Sequence, residues 1–431
     1  MKKNLFRLRK KTLFLAVSIC LAATIHAQEE GISPVEQLEQ RTQLLENAVT
    51  TLQKFKVSGY IQTQYQYAET EADDKNFKLS NRANAIEKEN SEDFGRLGVR
   101  RGRIKFTYED GLVQGVFQPD FTEKGLSFKD VYISIKDPWF KSSSLKTGIF
   151  DRPFGHEIAY SSSRRESPER ARIIQSLFPD ERDLGAMLTL QASKTSPWSI
   201  LKLEAGLFAG NGIRPQISNR MDFIGHLSAS KTFGNEMSIS GGVSTYLGGV
   251  LQSDSSVFTI QDKVFALESK NGANVGSYAV RRYIGFDLQF AAMTAAGLTQ
   301  IRGEYIFGRH PGNTDGAFDF KLAALPSGGM YMRNIAGGYV ILTQDFGTTP
   351  FSAVVKYDWY NPNTDVSGND IKGKNEIALS NIGFGLLWRI NSALKMTAYC
   401  DIVKNETTTG VKDYDRDRKD NVLTVRLQYK F

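Results

Sequence analysis

The sequence predicts an all-β chain: a 16-stranded antiparallel transmembrane β-barrel behind a short N-terminal periplasmic coiled-coil helix. Three observations predict it. The chain of 431 residues opens on a secretory leader. From Lys56 to Phe431 polar and apolar residues alternate with a period of two. The composition is rich in Tyr (17), Phe (27) and Gly (38) with only 12 Pro, at a mean hydropathy of -0.33. A bundle of membrane-crossing helices is excluded, because each span needs about 20 consecutive apolar residues. The only long uncharged apolar run, Leu13 to Ile25, is too short for that.

That run follows Lys2, Lys3, Arg7, Arg9, Lys10 and Lys11 and ends near the small residue Ala27, so residues 1–27 read as a signal peptide. Ile19 is too bulky for a lipobox ahead of Cys20. The leader bases account for most of the formal net charge of +7, so the basic isoelectric point does not imply a nucleic-acid partner, and none is expected. Cleavage leaves Cys400 alone, which excludes an intrachain disulfide and a small disulfide-stapled domain.

Residues 28–54 hold the predicted helix. Val35, Thr42 and Val49 occupy one heptad seam position and Leu38, Leu45 and Leu52 the other. Three heptads keep a 3.5 period, which favours a coiled coil over a helix packed on its own chain. Val with Leu in an isolated coil leans towards two strands, so the oligomer number has to come from elsewhere.

The barrel is assigned to 55–431. In its first strand Val57, Gly59, Ile61, Tyr65 and Tyr67 form one face and Lys56, Ser58, Gln62, Gln64 and Gln66 the other. In the last, Leu423, Val425, Leu427, Tyr429 and Phe431 oppose Thr424, Arg426, Gln428 and Lys430. Alternation alone fits a soluble sandwich as well as a barrel in lipid. The leader, the number of segments and the terminal aromatic favour the barrel. Sixteen strands begin near residues 55, 95, 111, 128, 144, 183, 199, 220, 236, 278, 296, 332, 350, 379, 393 and 420. Long polar connections lie at 69–93, 152–181, 251–276, 309–330, 361–378 and 405–419, and tight turns at Glu109-Asp110-Gly111 and Gly234-Asn235.

Three stretches, FGRLGVRRGRIKFTYEDG (94–111), LKTGIFDRPFGHE (145–157) and FPDERDLGAML (178–188), follow one another in an order that resembles the phosphate-selective porin O/P family of bacterial outer-membrane porins. The resemblance covers roughly 55–431. It implies a trimeric 16-stranded barrel in the outer membrane, with the loop 152–181 folded inward to narrow the pore and small anions such as phosphate as permeants. It also implies that Phe431 stands where such barrels present a signal to the barrel assembly machinery. No cofactor or metal is expected.

The faces can be assigned residue by residue. If Ile104, Phe106 and Tyr108 meet lipid, then Arg101, Arg103, Lys105 and Thr107 meet the lumen. The same rule turns Lys56, Lys136, Lys146, Lys202, Arg302, Lys356, Arg389, Lys395 and Arg426 inward, against Glu109, Asp130, Glu204, Asp287, Glu304, Asp358 and Asp401. A ladder of Arg and Lys in a narrow, low-dielectric lumen favours anions. The candidate constriction, 152–181, adds Arg152, Arg164, Arg165, Arg170, Arg172 and Ser161 to Ser163. Arg offers a planar fork and Ser a neutral donor to phosphate oxygens. Tyr132 and Tyr160 are further candidate lumen contacts. Glu157, Glu166, Glu169, Asp180 and Glu181 lie among the arginines, so a loop salt-bridged to itself is the alternative.

Catalytic signals are poor, and no enzyme activity is expected. His156, His226 and His310 stand on separate segments, and no G-x-S-x-G elbow occurs. Ser143-x-x-Lys146 lacks its companion motifs. Asp413, Asp415, Asp417 and Asp420 begin like a Ca²⁺ loop, but Arg418 and Thr424 replace its Gly and Glu, which leaves a solvated outer loop. The leading expectation is a passive channel for small hydrophilic solutes with a preference for anions. A non-selective porin, a barrel acting as surface adhesin or structural anchor, and an outer-membrane phospholipase are the alternatives.

Overall fold

The computed structural model describes residues 34–73, 78, 92–234, 236–313 and 329–431. The leader 1–27 lies outside them. The chain divides into two compact units, Met1–Phe55 and Lys56–Phe431. In the first, helix α1 spans Pro34–Gln53, with Leu45, Val49 and Leu52 exposed along one seam.

The second unit is one sheet, antiparallel throughout its wall. Its strands are β1 (Phe55–Ala68), β2 (Phe94–Asp110), β3 (Val113–Thr122), β4 (Gly125–Lys136), β5 (Ser144–Asp151), β6 (Arg182–Gln191), β7 (Leu201–Phe208), β8 (Asp222–Phe233), β9 (Met237–Leu251), β10 (Ser256–Gln261), β11 (Val264–Lys270), β12 (Tyr278–Thr294), β13 (Gly297–Asn313), β14 (Met330–Asp345), β15 (Phe351–Asn361), β16 (Leu379–Arg389), β17 (Leu394–Asn405) and β18 (Val422–Lys430). Each wall strand pairs with the next, and β1 pairs with both β18 and β2, so the sheet closes. The wall contains sixteen strands, because β9 pairs directly with β12 and bypasses β10 and β11. The predicted strand starts shift by no more than three residues.

The connection 251–276 is not the plain polar loop expected from its composition. Its Val257–Ile260 and Val264–Leu267 runs form the hairpin β10–β11, which adds in parallel to the start of β14 through Val257–Met330 and Phe258–Tyr331. Ile260 then packs against Val366, Ile371, Ile377 and Val411, a small apolar core made by the long loops. Long loops gather at one end of the wall and short turns at the other. In outer-membrane barrels the long loops are extracellular.

Alternation decides what each face meets. On β1, Gln62, Gln64 and Gln66 are buried and Ile61, Tyr65 and Tyr67 exposed. Exposed Phe117, Val131, Ile133, Leu188, Leu203, Ile284, Val340, Val355 and Phe384 continue an apolar belt around the wall. Among the described residues no helix is long and apolar enough to cross a membrane.

The seam is sealed on its lumen face and at its foot. Gln62 Nε2 donates to Gln428 Oε1 (2.7 Å) and Gln66 Nε2 to Thr424 Oγ1 (2.9 Å) on the lumen side. At its foot the Gly59 N–H donates to the Phe431 carbonyl (2.9 Å) and the Phe431 N–H to the Gly59 carbonyl (3.0 Å). A Cβ on Gly59 would lie 2.6 Å from the Phe431 ring, so glycine is what admits the ring. Deleting Phe431 removes this pair and opens backbone groups at the membrane edge. The expected outcome is a lower yield of folded, heat-modifiable barrel in outer-membrane fractions. A wild-type yield would show that the remaining β1–β18 bonds close the seam alone.

Candidate functional site

Residues 152–181 leave the wall at Asp151, return at Arg182 and occupy the lumen between. One face of this loop is apolar. Phe154, Ile158, Ile173, Ile174, Leu177 and Phe178 are buried, the last four in or beside the short helix α2 (Arg172–Leu177). They form one core with lumen-facing wall residues from Phe208 on β7 through Tyr246, Tyr283, Ile306 and Tyr339 to Tyr399 on β17. Phe154 sits on Gly285, where a Cβ would lie 2.7 Å from its ring.

Hydrogen bonds fix the ends and the tip. Ser244 Oγ accepts from the Gly155 N–H (2.8 Å), and Glu304 accepts from the N–H groups of His156 (3.0 Å) and Glu157. Arg170 bonds the carbonyls of Glu157 (2.9 Å), Ile158 (3.1 Å) and Tyr160 (3.3 Å) and pairs with Glu181. The tip reaches across to the seam. Ser162 Oγ lies 2.5 Å from the Tyr60 hydroxyl and 3.1 Å from Arg103 Nη1, and Gln62 and Gln428 donate to the Ser162 and Ser163 carbonyls (3.0 Å each).

The loop thus seals one arc of the lumen and leaves open the arc of β2 to β5. Two cavities lie there. The outer, about 380 Å³, is lined by Arg100, Arg101, Arg103, Lys129, Glu169 and Glu181 among others. The inner, about 260 Å³, is lined by Arg103, Lys105, Asp130, Tyr160, Ser161 to Ser163 and Arg182 among others. Arg103 and Arg170 border both, so the narrowing falls between them. Basic residues outnumber acidic ones by seven to four in the outer lining and by five to two in the inner.

The candidate residues separate by position. Arg101, Arg103 and Lys105 line the open arc in sequence. Arg103 is also paired with Asp120 (2.8 Å). Lys136 is half-exposed at the short-turn end and paired with Glu109. Lys146 lies 4.8 Å from the Tyr132 ring centroid and 5.2 Å from that of Phe150. Arg152 is buried against Asp183 (3.1 Å) and Phe178, away from both cavities. Arg164 is exposed and has no side-chain partner among the described residues. Arg165 is buried with Nε and Nη1 unpartnered. Arg172 faces neither cavity. It pairs with Asp73, and its N–H donates to Asp358 (2.9 Å). Arg152, Arg170 and Arg172 therefore hold the loop, Arg170 by a pair within it and Arg152 and Arg172 by pairs to residues outside it.

Alternation missed Arg100, Lys129 and Arg182. Arg100 and Arg101 are consecutive, yet both reach Glu169. Lys129 and Asp130 both turn inward opposite a register shift at Gln118–Pro119. Arg182 has outward parity but is the first residue of β6. There the chain is still turning in from the loop, and it binds Asp130 (3.0 Å), Asp151 (3.2 Å) and Glu181 (2.8 Å). Strict period two fails at each of these places, so only the neighbouring acids hinted at them.

Two loop carboxylates are strongly perturbed. Burial pushes Glu169 up, but the guanidiniums of Arg100, Arg101 and Arg426 outweigh it and hold the group well below the usual carboxylate range. Glu181 is held well below it in the same way by Arg170, Lys129 and Arg182. A depressed folded-state pKa stabilises the fold at neutrality; that contribution declines as the pH falls through the usual carboxylate range and is gone once acid protonates the group in the fold.

No family model matches the chain, and no curated protein matches it. Solved outer-membrane proteins superpose on it. The outer-membrane channel DcaP of Acinetobacter baumannii superposes with a TM-score of 0.54 at 12% identity, over 88% of this chain and 97% of that one. OmpT, an outer-membrane protein of Vibrio cholerae, gives 0.49 at 11% over 88% and 99%. OpdQ of Pseudomonas aeruginosa gives 0.41 at 8% over 88% and 98%. The chain has the fold of an outer-membrane channel, and a closed barrel with an apolar belt places it in the bacterial outer membrane.

Arg170→Ala should strip three loop carbonyls and Glu181 of their partner. Breaking one side of a buried charged pair costs about 3–5 kcal/mol. The expected outcome is a larger and noisier single-channel conductance from a barrel that still resists detergent. Unchanged conductance would show that the apolar face seats the loop without Arg170.

Proposed function

We propose that the chain is a passive outer-membrane diffusion channel for small hydrophilic solutes that prefers anions, phosphate among them. The observation that carries this reading is the lining of the open arc. Arg101, Arg103 and Lys105 follow one another along β2 between two cavities whose borders hold more basic than acidic groups. Alternate positions on a strand are about 6–7 Å apart, so an anion can pass from one site to the next without being held by any. Changing Arg101, Arg103 and Lys105 together to Gln removes three charges and keeps hydrogen bonding. In planar bilayers under a KCl gradient, the chloride-to-potassium permeability ratio should fall. The fall should be larger at low salt than at 1 M, where the screening length is about 3 Å. A ratio that does not move at low salt favours the non-selective porin.

The assembly belongs to the same proposal. Leu45, Val49 and Leu52 lie exposed along α1, which supports association through this helix as a periplasmic coil; the number three, a homotrimer, comes from the porin resemblance. Phe431 at the seam supports its role as the signal read by the barrel assembly machinery. Deleting 28–54 should leave a folded barrel but shift cross-linked trimers towards monomers. Monomers in the intact protein would sink the trimer.

A further inference from the structure

We infer that Glu169 is a tethered occupant of an oxyanion site, and that its carboxylate fills a cradle of guanidiniums otherwise open to a small oxyanion from the outer cavity. The inference rests on the channel reading above and names the solute class that reading leaves broad. Arg100 grips Glu169 as a fork, Nε to Oε1 at 2.8 Å and Nη2 to Oε2 at 2.9 Å. Arg101 Nη2 lies 3.1 Å from Oε2 and Arg426 Nη2 3.1 Å from Oε1. Arg165 Nη2 stands 4.0 Å away. Four guanidiniums thus surround one carboxylate.

An ion pair whose purpose is only to fix a loop needs one cation, and burying three more is unfavourable. The surplus shows as donors without acceptors: Arg101 Nε and Arg165 Nε and Nη1 are buried and unpartnered. Planar forks aimed at one point suit an oxyanion with two or more oxygens on one centre. The site is also reachable, since Glu169, Arg100 and Arg101 line the outer cavity.

The carboxylate can leave without moving the loop. The main chain beside it is held separately. The Pro168 carbonyl accepts from Arg426 Nη1 (2.9 Å) and Arg165 Nη2 (3.1 Å), and the Glu169 carbonyl accepts from Ser167 Oγ (2.9 Å) and Lys356 Nζ (3.4 Å). A side-chain rotation therefore exchanges the tethered anion for a free one. Tethering gives the carboxylate a high effective concentration, so a passing oxyanion competes for the cradle but does not lodge in it.

The test uses the full-length protein in planar bilayers, with chloride current measured against added inorganic phosphate. Glu169→Gln keeps the side chain's length and removes its charge. The expected result is inhibition of chloride current at a roughly tenfold lower phosphate concentration than in the wild type, the difference between a charge-assisted and a neutral competitor. Acetate should act in the same direction. Restoring wild-type sensitivity by adding Arg100→Gln and Arg101→Gln, neither of which holds the loop main chain, would locate the effect in the cradle. If the Gln variant does not fold, Glu169→Asp withdraws the carboxylate by one methylene and should give an intermediate shift. A folded Gln or Asp variant with wild-type phosphate sensitivity overturns the inference. A wild type that passes chloride and potassium equally sinks the anion preference proposed above. Phosphate sensitivity gained only on Glu169→Gln would still leave the cradle standing.

Discussion

Closure of the sheet at the β1–β18 seam is the constraint on which the rest of the molecule depends. In hydrocarbon an unpaired backbone N–H or C=O costs several kcal/mol, so a sheet with a free edge cannot stand there. Pairing β1 with both β18 and β2 removes that edge. Once the wall is closed, alternation has only one sense, apolar towards lipid and polar inward. Every charged inward position is then enclosed.

Enclosure sets the electrostatics. A charge taken out of water without a partner is strongly unfavourable. The lumen answers with pairs: Arg281 with Asp222, Arg152 with Asp183, Arg302 with Glu166, Lys356 with Asp358. Two of these, Arg152 with Asp183 and Arg302 with Glu166, bind loop to wall, so there the cost of burying charge is offset by the loop contacts it makes. Beside the two cavities basic groups outnumber acidic ones.

Strand number and most face assignments were legible in the sequence because lipid makes alternation obligatory over long stretches, whereas the inward fold of 152–181 was implied by the family resemblance alone. The hairpin β10–β11 was not legible, since Val257–Ile260 and Val264–Leu267 are two short runs inside a polar loop and the partner, β14, lies far along the chain. The site was legible in part. Arg101, Arg103 and Lys105 followed from parity alone. The four guanidiniums around Glu169 come from β2, β18 and the loop itself, and no spacing in the sequence records that the loop tip reaches the seam.

The loop divides two tasks between its faces, and this changes how lumen charge should be counted. Phe154, Ile158, Ile173, Ile174, Leu177 and Phe178 decide which arc of the barrel is filled. On that arc a base such as Lys356 is buried against Asp358 and the Glu169 carbonyl, and a solute does not meet it. On the opposite arc Arg101, Arg103 and Lys105 face the cavities, and the low-dielectric wall and apolar loop core on either side concentrate their field there. A tally of all inward bases against all inward acids therefore weights the wrong residues. What reaches a solute is the charge left on the open arc after Asp120, Asp130, Glu169 and Glu181 have taken their partners, and the apolar side of the loop determines where that arc lies.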